Sequence, residues 1–113
     1  MRTTTRKIAA IIGTVGLMAG FAASAHAESA WQYQHPRRAE VNERLAGQNV
    51  RIDRDVARGT MSRAEGATLL REDRGIRQEE RNMASANGGH ITRSEQRVLN
   101  QQENSVSRQI GRY

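Results

Sequence analysis

Two stretches decide the fold of this 113-residue chain: Arg58 to Glu65, RGTMSRAE, and Gly88 to Glu95, GGHITRSE. Both follow one grammar of Gly, any residue, a large aliphatic (Met61 or Ile91), Ser or Thr, two residues and Glu. This order is a helix stop followed at once by a helix start. Gly59 or Gly89 takes the left-handed conformation that closes one helix, and Ser62 or Thr92 caps the next. Glu65 and Glu95 fall at the third helical position, where a carboxylate reaches back to the amide of the cap. Two such joints predict three helices, and joints this short make neighbouring helices antiparallel.

Working outward from the joints, the spacing predicts helices over Arg37–Arg58, Arg63–Ala86 and Arg93–Ile110. The first carries Val41, Leu45, Ile52 and Val56 as a helical stripe, with Gln48 in the gap and Gly47 as a weak point. The second sets Leu69, Ile76 and Met83 seven residues apart, with Asp73 and Glu80 on one flank and Glu72 and Glu79 on the other. The third repeats the line with Leu99, Val106 and Tyr113, adding Val98 and Ile110. An offset of thirty residues aligns Met61 with Ile91, Ser62 with Thr92, Arg63 with Arg93, Glu65 with Glu95, Leu69 with Leu99, Asp73 with Glu103 and Ile76 with Val106. Seven agreements at one offset exceed what a shared helical period gives, so residues 37–113 read as a helical domain with a thirty-residue internal repeat. The expected fold class is all-α: three antiparallel helices joined by two short Gly-x-aliphatic-Ser/Thr turns.

The same joints align with a pair of degenerate EF-hand loops. Gly59 and Gly89 then occupy the sharp turn, and Glu65 and Glu95 the bidentate carboxylate. The remaining ligand positions fail, since they hold Arg54, Val56 and Arg58 in the first loop and Ala84, Ala86 and Gly88 in the second. Capping explains every matching residue without a metal, and no cofactor is expected. The structural content left in the alignment is a small bridge between Met61 and Ile91.

At the amino terminus, Arg2, Arg6 and Lys7 precede an uncharged, mostly apolar run from Ile8 to Phe21, and Ala25, His26 and Ala27 form a cleavage signal. Residues 1–27 read as a signal peptide, so the exported product begins at Glu28 and lies in the periplasm or beyond. A membrane anchor is disfavoured because the run is short and broken by Gly13, Gly16 and Gly20. Residues 28–36, ESAWQYQHP, show no helical period and read as a flexible N-terminal segment. With no cysteine in the chain, no disulfide framework forms.

Cleavage removes three of the eighteen Lys and Arg residues and none of the twelve acids, leaving a net charge of +3 rather than +6. The high pI of the whole chain therefore overstates the case for a polyanion partner. Arg63, Arg74, Arg77 and Arg81 form one face of the second helix and are the positions for an anion-binding surface. Acids are as numerous on the same helix, and no aromatic is interleaved for base stacking, so a nucleic-acid partner is disfavoured. His35 and His90 have no motif spacing, and no nucleophile elbow or phosphate loop is present. The sequence gives an enzyme nothing to stand on. Its apolar residues make a thin core, so an unknown protein partner or self-association is the expected relationship.

The runs GGHITRSEQRVLNQQENSVSRQI, HPRRAEVNERL and GTMSRAEGATLLREDRGIRQEE resemble a family of small secreted proteobacterial proteins. These repeat G-x-Φ-[ST]-x-x-E and end in a Q-Q-x-x-x-S-R-Q-I helix. The resemblance spans nearly all of residues 28–113 and implies an exported helical protein, without catalytic residues to carry over. Relatives of that kind often have Asp-Gly where this chain has Asn87 and Gly88, which weakens calcium binding further. The expected role is a non-enzymatic binding, stress-related or chaperone-like factor using an apolar seam framed by charges. The alternatives are a calcium-responsive module and an anion-binding surface protein.

Overall fold

A computed structural model of the chain describes residues 29–113, so the expected leader, residues 1–27, and its cleavage site lie outside the described residues. The chain divides into two units, residues 1–34 and His35–Tyr113. Within the first, the described residues 29–34 are helical and are here called α1. This corrects the count of three helices. The alternation of Trp31 and Tyr33 masked this helix. The proline that follows accounts for its end. Pro36 disfavours helical backbone at the residue before it, and His35 accordingly sits at φ −130°, ψ 60°.

The second unit is built from α2 (Pro36–Arg58), α3 (Arg63–Ala86) and α4 (Arg93–Ile110). Each of the three packs against both others, so the array closes into a three-helix bundle. Pro36 opens α2 at its first position, where its missing N–H removes no helical bond. Gly59 closes α2 at φ 77°, ψ 9°. Beyond it, the amides of Thr60 and Met61 both donate to the Asp55 carbonyl, at 3.0 and 3.1 Å. Ser62 then caps α3, accepting from the Glu65 amide at 3.1 Å. At the far end, α3 closes through two consecutive left-handed glycines, Gly88 at φ 64° and Gly89 at φ 92°. The Gly89 amide returns to the Ala84 carbonyl at 2.8 Å.

Because α3 runs the whole way between the joints, they lie at opposite ends of a 24-residue helix, roughly 36 Å apart at 1.5 Å per residue. The expected EF-hand-like bridge between Met61 and Ile91 therefore does not form. The Met61 amide goes to Asp55, and the Ile91 carbonyl accepts instead from Arg37 Nη1 at 3.3 Å. Both side chains are buried as end plugs of the core.

The core unites Val41, Leu45 and Ile52 from α2, Leu69, Ile76 and Ala84 from α3, and Leu99, Val106 and Ile110 from α4. Two members of the expected seven-residue lines drop out: Met83 is half-buried with Ala84 taking the core position, and Tyr113 is exposed with Ile110 inside. A straight helix drifts by about 20° per heptad. Over two heptads the inward position therefore passes to a neighbouring residue, Ala84 in place of Met83 and Ile110 in place of Tyr113. Val98 is exposed for the same geometric reason, standing one step outside Leu99.

Candidate functional site

Four polar side chains share the core with these hydrophobics: Gln48 on α2, Asp73 and Glu80 on α3, and Glu103 on α4. Of the carboxylates flanking the α3 line, Glu80 pairs with an arginine of a neighbouring helix. It is 1% exposed and accepts from Arg38 Nε of α2. Glu103 is fully buried, with Arg44 Nη1 3.7 Å from Oε1. Gln48 Nε2 donates to the backbone carbonyl of the same residue at 2.6 Å. Asp73, 2% exposed, has neither oxygen hydrogen-bonded, and the same holds for both oxygens of Glu103. Burial pushes the Asp73 carboxyl up to about 7, and nearby Glu72 adds to the rise. Burial likewise pushes Glu103 up to about 8; Arg44 opposes the rise, while Glu40 and Asp73 reinforce it. The interior of the bundle thus holds protons that exposed carboxyls would have released.

On the surface, α3 and α4 enclose an open groove of about 430 Å³ whose floor is Ile76, Val106 and the bare backbone of Gly75. Glu72 and Glu79 line its α3 side; Gln102, Ser105 and Gln109 line the α4 side. A second recess of about 250 Å³ meets it at Gln109 and runs past Leu69 to Glu65 and Tyr113. Glu65, Glu72 and Glu79 recur every seven residues, so α3 contributes a row of acids along the groove. One rung crosses from α4: Gln109 Nε2 donates to Glu72 Oε2 at 3.2 Å. Interaction with Glu65 is the main cause that raises the Tyr113 hydroxyl above its ordinary value. The two joints differ: Glu95 Oε1 completes a capping box on the Thr92 amide at 2.8 Å, whereas at the first joint only the Ser62 side chain caps, accepting from the Glu65 amide.

The α2–α4 side is closed differently, by polar rungs along its length. Arg44 donates to Asn104, Arg51 Nη1 to Ser107 Oγ at 2.9 Å, and Gln96 Nε2 to Glu40 Oε2 at 3.0 Å. Arg63, Arg74, Arg77 and Arg81 are all exposed, and Arg63 borders a recess between α2 and α3 together with Asp53.

The chain start of α2 and the α3–α4 joint meet in a contact that sequence spacing did not reveal. His35 and His90 stack with ring centroids 4.8 Å apart and planes 19° from parallel. Beside them Arg38 Nη1 donates to the Gly89 carbonyl at 3.1 Å. Residues 55 positions apart give no motif, and only the antiparallel topology places the head of α2 against this joint. Among the described residues, no three His, Cys, Asp or Glu side chains converge on a metal-holding arrangement, and no helix is long and apolar enough to cross a membrane. The described bundle is all-helical. Comparison with family models, curated proteins and solved structures finds no match to this chain.

Proposed function

We propose that this is an exported, non-enzymatic binding protein, periplasmic or secreted, which holds a cationic, partly apolar segment of another polypeptide in the α3–α4 groove. One observation carries the reading: the apolar floor of Ile76, Gly75 and Val106 lies beside the acidic row of Glu65, Glu72 and Glu79. An apolar floor rewards burial of aliphatic side chains, and the row selects for Lys or Arg at matching spacing. Exposed ion pairs contribute only about 0–1 kcal/mol each, so the groove suits a modest, reversible grip such as a stress-related or chaperone-like factor uses. The α2–α4 side is instead bridged by Arg44, Arg51 and Gln96.

Calorimetric titration with a synthetic amphipathic peptide bearing arginines every seven residues tests this reading. Binding is expected to weaken with added salt, and to be lost in Gly75→Leu, whose side chain occupies the floor without touching the core. Equal affinity in the parent, in Gly75→Leu and in the Glu72→Gln/Glu79→Gln variant overturns it.

A further inference from the structure

We propose that Asp73 and Glu103 form a proton-held latch between α3 and α4: protonated, they let the two helices close, and ionised together they force α3 away from α4. The geometry carries the argument. One carboxyl comes from each helix, each is at most 2% exposed, and none of the four oxygens is hydrogen-bonded. Two charges in that position are buried and without protein donors, and a poorly paired buried charge is among the least tolerable features of a core.

The neighbours do not cure this. From α2, Arg44 is the cation in reach of Glu103, and it is shared with Glu40 at 3.8 Å and with Asn104 on the surface. Arg38, also on α2, is committed to Glu80 and the Gly89 carbonyl. From α3, Glu72 and Glu80 add only negative charge, and Gln48 of α2 spends its amide on the Glu103 backbone. One guanidinium, shared with Glu40, thus stands against the Glu103 carboxyl. Hydration is the remaining way to accommodate both charges, and it requires α3 and α4 to part. Burial holds Asp73 near 7 and Glu103 near 8, so the transition falls in the neutral range rather than at acid extremes.

Asp73 and Glu103 lie one turn or less from Ile76 and Val106, the floor of the groove described above. Resting on the binding reading of that groove, the latch makes capture of a cationic segment proton-linked: narrow and less charged below about pH 6, wider and more acidic above about pH 8.

The absence of native cysteine allows the test on the full chain. Gln78→Cys on α3 and Gln101→Cys on α4, both exposed, take spin labels for distance measurement between pH 5 and 9. The interhelix distance is expected to lengthen and broaden through neutrality, and to stay short throughout in Asp73→Asn/Glu103→Gln, which keeps shape but cannot ionise. An unchanged distance in the parent overturns the latch. So does a lengthening that survives the double substitution, since His35 and His90 remain in place there. If the double variant does not fold, carboxyl carbon shifts of the parent decide: titration of both groups below pH 5 overturns the proposal. Peptide binding that fails while the helices still separate sinks the groove reading and leaves the latch standing. Binding without separation does the reverse.

Discussion

Arg38 of α2 and Glu80 of α3 form an ion pair whose carboxylate is 1% exposed and whose arginine also donates to the Gly89 carbonyl. One side chain therefore ties the head of α2 to the body of α3 and to the α3–α4 joint at once. Removing it leaves a buried carboxylate alone, a defect that costs about 3–5 kcal/mol. Arg38→Ala is expected to lose that much in urea denaturation, and Arg38→Lys to recover only part of it, because an ammonium lacks the fork that reaches both acceptors. Glu80→Gln is expected to cost less than Arg38→Ala. A loss under about 1 kcal/mol in Arg38→Ala, the value of an exposed pair, shows that the pair is a surface contact.

Stability should fall as pH rises, the opposite of a protein held by paired carboxylates. Asp73 is raised from 3.8 to about 7 and Glu103 from 4.5 to about 8. The folded state therefore keeps protons that the unfolded chain releases between those limits. Their contribution is fully present below about pH 4 and is lost as pH climbs through 7 and 8, on the order of several kcal/mol across the window. Thermal melts from pH 4 to 9 at fixed ionic strength are expected to show a declining Tm. Asp73→Asn removes its share of the decline between pH 3.8 and about 7, and Glu103→Gln its share between pH 4.5 and about 8. A Tm that rises from pH 5 to 8 excludes buried protonated carboxyls.

Much of the bundle was legible because local signals and topology agreed. The expected bounds for the last two helices coincide with α3 and α4, and the first differs from α2 by the single residue Pro36. Gly59, Ser62, Gly89 and Thr92 announced those ends through backbone chemistry that acts over four residues. What escaped was set by contacts distant in sequence. Spacing places Asp73 and Glu80 beside a stripe, but which carboxyl meets Arg38 and which meets nothing depends on the register of α2 against α3. The His35–His90 stack depends on closure of the bundle. The helix at 29–34 was hidden by the alternation of Trp31 and Tyr33, and the groove depends on how α3 packs against α4.

Two glycines of α3 separate packing from propensity. An added Cβ at Gly66 lies 2.6 Å from Val56 Cγ2, while at Gly75 it meets nothing within 4 Å. Gly66→Ala must push Val56 off α3, and overpacking of this kind typically costs about 1–3 kcal/mol, against a gain of up to about 1 from helix propensity. Gly75→Ala collects the propensity gain alone. Chemical denaturation should therefore show Gly75→Ala more stable than the parent and Gly66→Ala less stable or equal. The reverse order shows that α2 and α3 do not approach closely at Gly66.

The two joints share a grammar but not a hydrogen-bond pattern, and that difference is measurable. At the second joint Glu95 Oε1 accepts from the Thr92 amide at 2.8 Å and from Asn87 Nδ2 at 3.0 Å, so it ties the end of α3 to the start of α4. Glu65 makes no such return to Ser62, and the first joint has the Ser62 cap alone. Ser62→Ala and Thr92→Ala each remove a cap and should each cost about 0.5–2 kcal/mol. Glu95→Ala should come close to Thr92→Ala, while Glu65→Ala costs clearly less, although the two glutamates are aligned by the thirty-residue offset. Gly89→Val should exceed all four, because φ 92° is a conformation that a β-branched residue adopts only under strain. Asn87 cannot relieve it, since Gly88 and Gly89 both sit at positive φ and carry the reversal between them. Circular dichroism melts of the five variants test the series. Equal losses for Glu65→Ala and Glu95→Ala show that the joints are alike in solution, and a Gly89→Val variant as stable as the parent shows that the α3–α4 joint does not turn at Gly89.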